Sequence, residues 1–95
     1  MKTFKDLEFD KTYNGVGAHY KFDNGITISV QAGAGNYSTP KENLISPNSY
    51  SSFEVGLWDE KGKWITQDFA KTDNLVAGWQ TKEDIDAIIM AVNNF

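Results

Sequence analysis

Residues 18–30 read Ala18-His19-Tyr20-Lys21-Phe22-Asp23-Asn24-Gly25-Ile26-Thr27-Ile28-Ser29-Val30. Ala18, Tyr20 and Phe22 alternate with His19 and Lys21, and Ile26, Ile28 and Val30 alternate with Thr27 and Ser29. A period of two marks strands with one apolar face. The intervening Asp23-Asn24-Gly25 sets the register. A two-residue Asn-Gly turn would put Phe22 opposite Thr27. The apolar sets would then lie on opposite faces, because directly paired residues share a face. A three-residue loop instead pairs Phe22 with Ile26, Tyr20 with Ile28 and Ala18 with Val30, and one face becomes wholly apolar. Gly25 supplies the left-handed residue that a type I turn with a G1 bulge requires.

The same device recurs downstream. Phe53, Val55 and Leu57 alternate with Glu54, Gly56 and Trp58, and Lys63–Phe69 follows Glu60-Lys61-Gly62. This predicts a second hairpin that pairs Leu57 with Ile65 and Phe53 with Phe69 on the core side. Trp58 then faces Trp64, and Glu54 faces Asp68, on the other side. Such a carboxylate pair could hold a cation or act as an acid–base pair, unless Lys63 or Lys71 neutralises it. Nearer the N-terminus, Phe4, Leu7 and Phe9 predict a short strand or extended lead-in, with a turn around Asn14-Gly15 and Gly17.

The C-terminal segment carries the clearest helix signal. Thr81-Lys82-Glu83-Asp84 fits a capping box with Asp in place of Glu. Glu83, Asp84 and Asp86 place negative charge where the helix dipole favours it. Ile85, Ile88, Ile89 and Val92 fall at i, i+3, i+4 and i+7, with Ala87 and Ala91 widening the stripe. The pattern predicts a helix from about Thr81 to Asn93. Laid across the apolar sheet face, it buries both elements. The expected fold class is α+β: an antiparallel sheet of four to five strands from two hairpins, with one C-terminal helix packed on one face, in a single domain spanning 1–95.

Composition narrows the function. The chain has 95 residues, 40% of them hydrophobic and 14% aromatic, with a net charge of -4. That suffices for one modest core. The negative balance disfavours nonspecific contact with nucleic acid or anionic lipid. No apolar run approaches the roughly 20 residues of a membrane span, and the start, MKTFKDLEFD, lacks the apolar stretch of a signal peptide. With no Cys and one His, a disulfide frame and a zinc site are not expected, and a cytoplasmic location is. Arginine is absent, so the usual bidentate grip on phosphate or carboxylate is missing as well.

The segment 31–52, QAGAGNYSTPKENLISPNSYSS, is a long loop for so small a domain. Gly33, Gly35, Asn36 and Ser38 offer a flexible backbone cradle for an anion, although no G-x-G-x-x-G or G-K-[ST] is present. Tyr37, Tyr50, Trp58, Trp64 and Trp79 lie in loops, on the nominally polar strand face or before the helix. Such residues dominate interface hot spots and stack on bases. Alternatively, the loop folds over the outer sheet face and buries Trp58 and Trp64 as a satellite core. His19 stands opposite Ser29 without a third group to orient it, so no catalytic residues are expected.

The motifs F-K-D-L-x-F at 4–9, K-F-D-N-G-I-T-I-S-V at 21–30, F-E-V-G-L-W-D-E-K-G-K-W-I-T at 53–66 and G-W-Q-T-K-E-D-I-D-A-I-I at 78–89 resemble a group of small uncharacterised proteins encoded by tailed phages and prophages. The resemblance implies a phage accessory protein working in the bacterial host cytoplasm. It further implies a non-enzymatic binder that counters a bacterial defence system by sequestering a small nucleotide-like immune signal, or, as the alternative, by blocking a host defence protein. Neither cofactor nor metal is expected. The partners are a host defence component or its small-molecule signal, together with further copies of the chain in a homo-oligomer. The expected binding residues are Gly33, Gly35, Asn36, Tyr37, Ser38, Tyr50, Trp58, Trp64 and Trp79.

Overall fold

The computed structural model describes residues 3–95. Five strands form one antiparallel sheet in sequence order: β1 (Asp10–Lys11), β2 (Gly15–Lys21), β3 (Thr27–Gly33), β4 (Phe53–Trp58) and β5 (Val76–Gln80), followed by α1 (Lys82–Asn93). The α+β class, the antiparallel sheet and the single C-terminal helix are as expected from the sequence.

The β2–β3 hairpin has the register that its apolar pattern demands: Ala18 pairs with Val30, His19 with Ser29 and Tyr20 with Ile28. The Phe22 N–H donates to the Ile26 carbonyl at 2.7 Å, and the Gly25 N–H to the Phe22 carbonyl at 2.9 Å. Gly25 has φ +90°, a conformation that costs glycine little. Gly62 does the same in the second turn at φ +82°, where the Asp59 N–H donates to the Lys63 carbonyl at 2.9 Å.

Past that turn, the second hairpin differs from expectation. Trp58 does face Trp64, and the Ile65 N–H reaches the Leu57 carbonyl at 2.8 Å. Pairing stops there, and Thr66–Asp68 form a 3₁₀ turn. Thr66 ends the ladder. Its buried hydroxyl accepts from the Leu57 N–H at 2.9 Å and donates to the Leu75 carbonyl at 2.6 Å. A side chain thus satisfies the group that a ladder carbonyl would have met. The vacated edge of β4 is taken by β5, with Gly56 opposite Val76 and Phe53 opposite Gln80. Phe69 and Asp68 therefore do not pair with Phe53 and Glu54.

The helix stripe is as read. Ile85, Ile88, Ile89 and Val92 are buried with Val16, Ala18, Ile28, Val30, Phe53, Val55 and Leu57 in one core. Ala87 and Ala91 are exposed, so the stripe is narrower than expected. Thr81 caps α1, accepting from the Asp84 N–H at 3.1 Å, while its own N–H donates to Asp84 Oδ2 at 3.0 Å. Two long-range bonds tie the helix to the N-terminal lead-in and to the β2–β3 turn. The Phe4 N–H donates to Asp86 Oδ1 at 2.6 Å, and Asn24 Nδ2 donates to the Val92 carbonyl at 2.8 Å. The lead-in is a 3₁₀ turn at Phe4–Asp6 followed by extended chain; Phe4 packs on Phe53 at 4.9 Å between ring centroids.

Candidate functional site: the outer face of the sheet

With the helix on one face, the opposite face of the sheet is built from the polar phase of each strand. The register puts Gly17, Gln31 and Glu54 in one row, His19, Ser29 and Gly56 in the next, and Lys21, Thr27 and Trp58 in the last. Asp10 extends the first row from β1. Two aromatic groups stand on this face, one near each end of β4.

The first group is His19, Trp58 and Trp64. The Trp58 and Trp64 rings lie 5.3 Å apart at 68°, and His19 meets Trp58 at 5.8 Å and 77°. Gly56 makes the seat for Trp64: a Cβ there would come within 2.8 Å of the indole. With Ser29, Gln31 and Gly62 these rings line a cleft of about 350 Å³. Ser29 Oγ accepts from Gln31 Nε2 at 3.3 Å, so the hydroxyl is engaged along its own strand.

The second group is Tyr37 and Trp79, with ring centroids 5.2 Å apart and planes at 34°. The Trp79 N–H donates to the Tyr37 carbonyl at 2.9 Å. Between Phe53 and Val55 the pairing to β5 shifts, so Gly78 and Trp79 form a bulge opposite Glu54. Trp79 has φ +52° there. Simple alternation from buried Ala77 would send residue 79 to the core side; the bulge re-aims it, and Trp79 is 57% exposed. A left-handed backbone at so bulky a residue is costly and is a pointer to function. Lys41 Nζ lies 4.9 Å from the centre of the Tyr37 ring.

The long loop divides into two parts. Residues 31–33 belong to β3, and the Thr39–Ser52 bridge closes 40–51 into a compact Ω-type loop. Tyr50 is its internal plug, buried against Phe53, with its hydroxyl donating to the Glu42 carbonyl at 2.5 Å and accepting from the Leu44 N–H at 2.8 Å. Ser38 is also buried, bonding Gly33 and Pro40. Tyr50 and Ser38 are therefore scaffold, a correction to their expected place in a binding surface. The loop covers only the Glu54–Gly78 end of the outer face and leaves Trp64 43% exposed, so it is no lid over a satellite core.

The Gly33–Ser38 turn is not an open anion cradle either. The Ala34 N–H is taken by the Asn14 carbonyl, the Asn36 N–H by the Gly33 carbonyl and the Ser38 N–H by the Asn36 carbonyl. Glu54 receives the Asn36 amide at 3.0 Å and the Tyr37 N–H at 3.2 Å. A carboxylate occupies the place that a phosphate would need. Gly33 lies against the Asn14 backbone and Gly35 beside the Asn14 side chain, which makes both close-approach positions under the turn. Among the predicted residues, the structure joins Trp58 with Trp64 and Tyr37 with Trp79, while Asn36 bonds Glu54.

His19, Gln31, Lys41 and Glu54 belong to this surface without standing among the expected binding residues; the sequence offers His19 only as a partner of Ser29 and Glu54 only as a carboxylate facing Asp68. The alternation did put His19 and Glu54 on the outer face. No local signal placed Lys41 over Tyr37, because that contact depends on how the loop folds.

Among the described residues, no group of three His, Asp or Glu side chains could hold a metal ion, and no helix is long and apolar enough to cross a membrane. Every buried side-chain polar atom among them has a partner. Comparison with family models, curated proteins and solved structures finds no match to this chain.

Proposed function

We propose that this is a non-enzymatic binding protein that works through the outer face of its sheet. In the setting implied by its resemblance to phage-encoded proteins, it counters a bacterial defence system by occupying a host component. The carrying observation is Trp79: a left-handed tryptophan held at a bulge, exposed, and stacked on exposed Tyr37. A fold that tolerates that strain to display an indole has a use for it. Trp58 and Trp64 extend the aromatic surface along β4. Shallow aromatic faces of this kind suit a protein partner, and two copies meeting through them would give an isologous homo-oligomer.

A second reading has its own support. The Tyr37–Trp79 pair with Lys41 beside it offers a stacking platform and one cation, which suits a nucleotide-like immune signal. The occupied amides of the Gly33–Ser38 turn and the lack of arginine weigh against tight phosphate binding, so the protein-partner reading ranks first.

The test is expression in defence-proficient bacteria, scored by phage plating, with native mass spectrometry of the purified protein. Wild type is expected to restore plating and to retain a partner or ligand. Tyr37→Ala and Trp79→Ala are expected to lose both while keeping wild-type circular dichroism. Folded variants with full activity and an unchanged oligomeric state would place the site elsewhere.

A further inference from the structure

We infer that the aromatic corner of His19, Trp58 and Trp64 is a binding site for an alkylammonium group, presented by a lysine-type side chain of a protein partner. Its occupant rests on the reading of the outer face as a binding surface; its chemistry is legible without any partner.

Three observations carry the inference. The rings stand at steep angles, 68° between the two indoles and 77° between Trp58 and the imidazole. In an edge-to-face pair one ring covers part of its neighbour's π-face and leaves its own faces free to form a corner, and those faces carry negative quadrupole density. Trp is the strongest of the aromatic cation acceptors. Second, the recess is a real cleft, about 350 Å³, with neutral polar Ser29 and Gln31 in its lining and an exposed Trp64 wall.

The third observation is charge. A neighbouring cleft of about 480 Å³ shares His19 and Gln31 with the first and is lined by Glu8, Asp10, Thr12 and Gly17. The exposed carboxylates of Glu8 and Asp10 therefore belong to the cleft next to the aromatic corner, on the far side of His19 and Gln31. Lys21 lies on the same face, across Thr27 from Trp58. The chain as a whole is acidic and free of arginine. The negative ring faces favour a cation over an anion; the carboxylates beyond His19 add to that preference, and Lys21 offsets part of it. Attraction of this sign also steers a basic surface toward the face.

Choline and 3,3-dimethylbutan-1-ol have the same shape and differ in charge, so the pair separates cation–π recognition from simple apolar filling. The folded protein, labelled with ¹⁵N, is titrated with each while the indole N–H resonances are followed. Choline is expected to shift the Trp58 and Trp64 indoles saturably and to bind about tenfold more tightly than the neutral alcohol, the advantage expected of a partly desolvated cation–π contact. The Trp79 indole is expected to stay in place.

Trp64→Leu is expected to abolish the choline response; should it fail to fold, His19→Ala is read instead, with a several-fold weakening expected. A short peptide carrying trimethyl-lysine is expected to bind more tightly than choline. Equal affinity for the two isosteres, a response confined to Trp79, or no response overturns the inference. Choline binding with no gain from the peptide overturns the assignment to a protein partner. The binding role of the outer face is judged separately, by phage plating and retained partner in Tyr37→Ala, so the two readings fail independently.

Discussion

At Trp79 a single dihedral angle sets a side chain's accessibility. The backbone there is left-handed, at φ +52°, where an L-residue pays about 1–2 kcal/mol that glycine does not. Trp79→Gly is therefore expected to be more stable than Trp79→Ala by about 1 kcal/mol in urea unfolding, the reverse of the usual order within a strand. Both variants lose the stack on Tyr37 and are expected to lose partner binding. Thr66 is the other decisive residue. Its hydroxyl serves the Leu57 N–H and the Leu75 carbonyl in a buried setting. Thr66→Val keeps the volume and removes the partner, so it is expected to cost about 1–3 kcal/mol, read from the shift in denaturant midpoint.

Among the elements, α1 is the most completely specified by local sequence. Its cap, acidic first turn and buried stripe agree with one another, and such agreement across levels is what makes an element legible. Ile88→Ala is expected to cost about 2–5 kcal/mol as a buried truncation, and Thr81→Ala about 1 kcal/mol through loss of the cap. Chemical denaturation followed by helix circular dichroism checks both; a harmless Ile88→Ala would mean that the stripe does not face the core. β5 lies at the other extreme. Val76-Ala77-Gly78-Trp79-Gln80 has no alternation, contains a glycine and is interrupted by a bulge. The better strand former, Lys63–Phe69, loses the edge of β4 because Thr66 closes the ladder after one bridge.

For the whole molecule, the helix covers one sheet face and leaves the aromatic face open. If copies meet through that face, wild type sediments as a dimer or larger species and Trp64→Ala as a monomer with unchanged secondary structure; sedimentation velocity decides it. The sequence by itself determined the β2–β3 register, the turn glycines, the cap and stripe of α1 and the α+β class. Each rests on contacts within a few residues or on a strict period, and both are written locally. It also put Trp58 opposite Trp64, because one tight turn fixes that pair. Tertiary structure alone decided which segment completes the sheet, that Tyr50 and Ser38 face inward, that Glu54 fills the would-be anion cradle, and that Trp79 turns outward onto Tyr37. Those outcomes depend on competition between distant segments for the same edge and the same hydrogen bonds. A buried donor takes whichever acceptor the packed chain delivers, and no local pattern records which one that is.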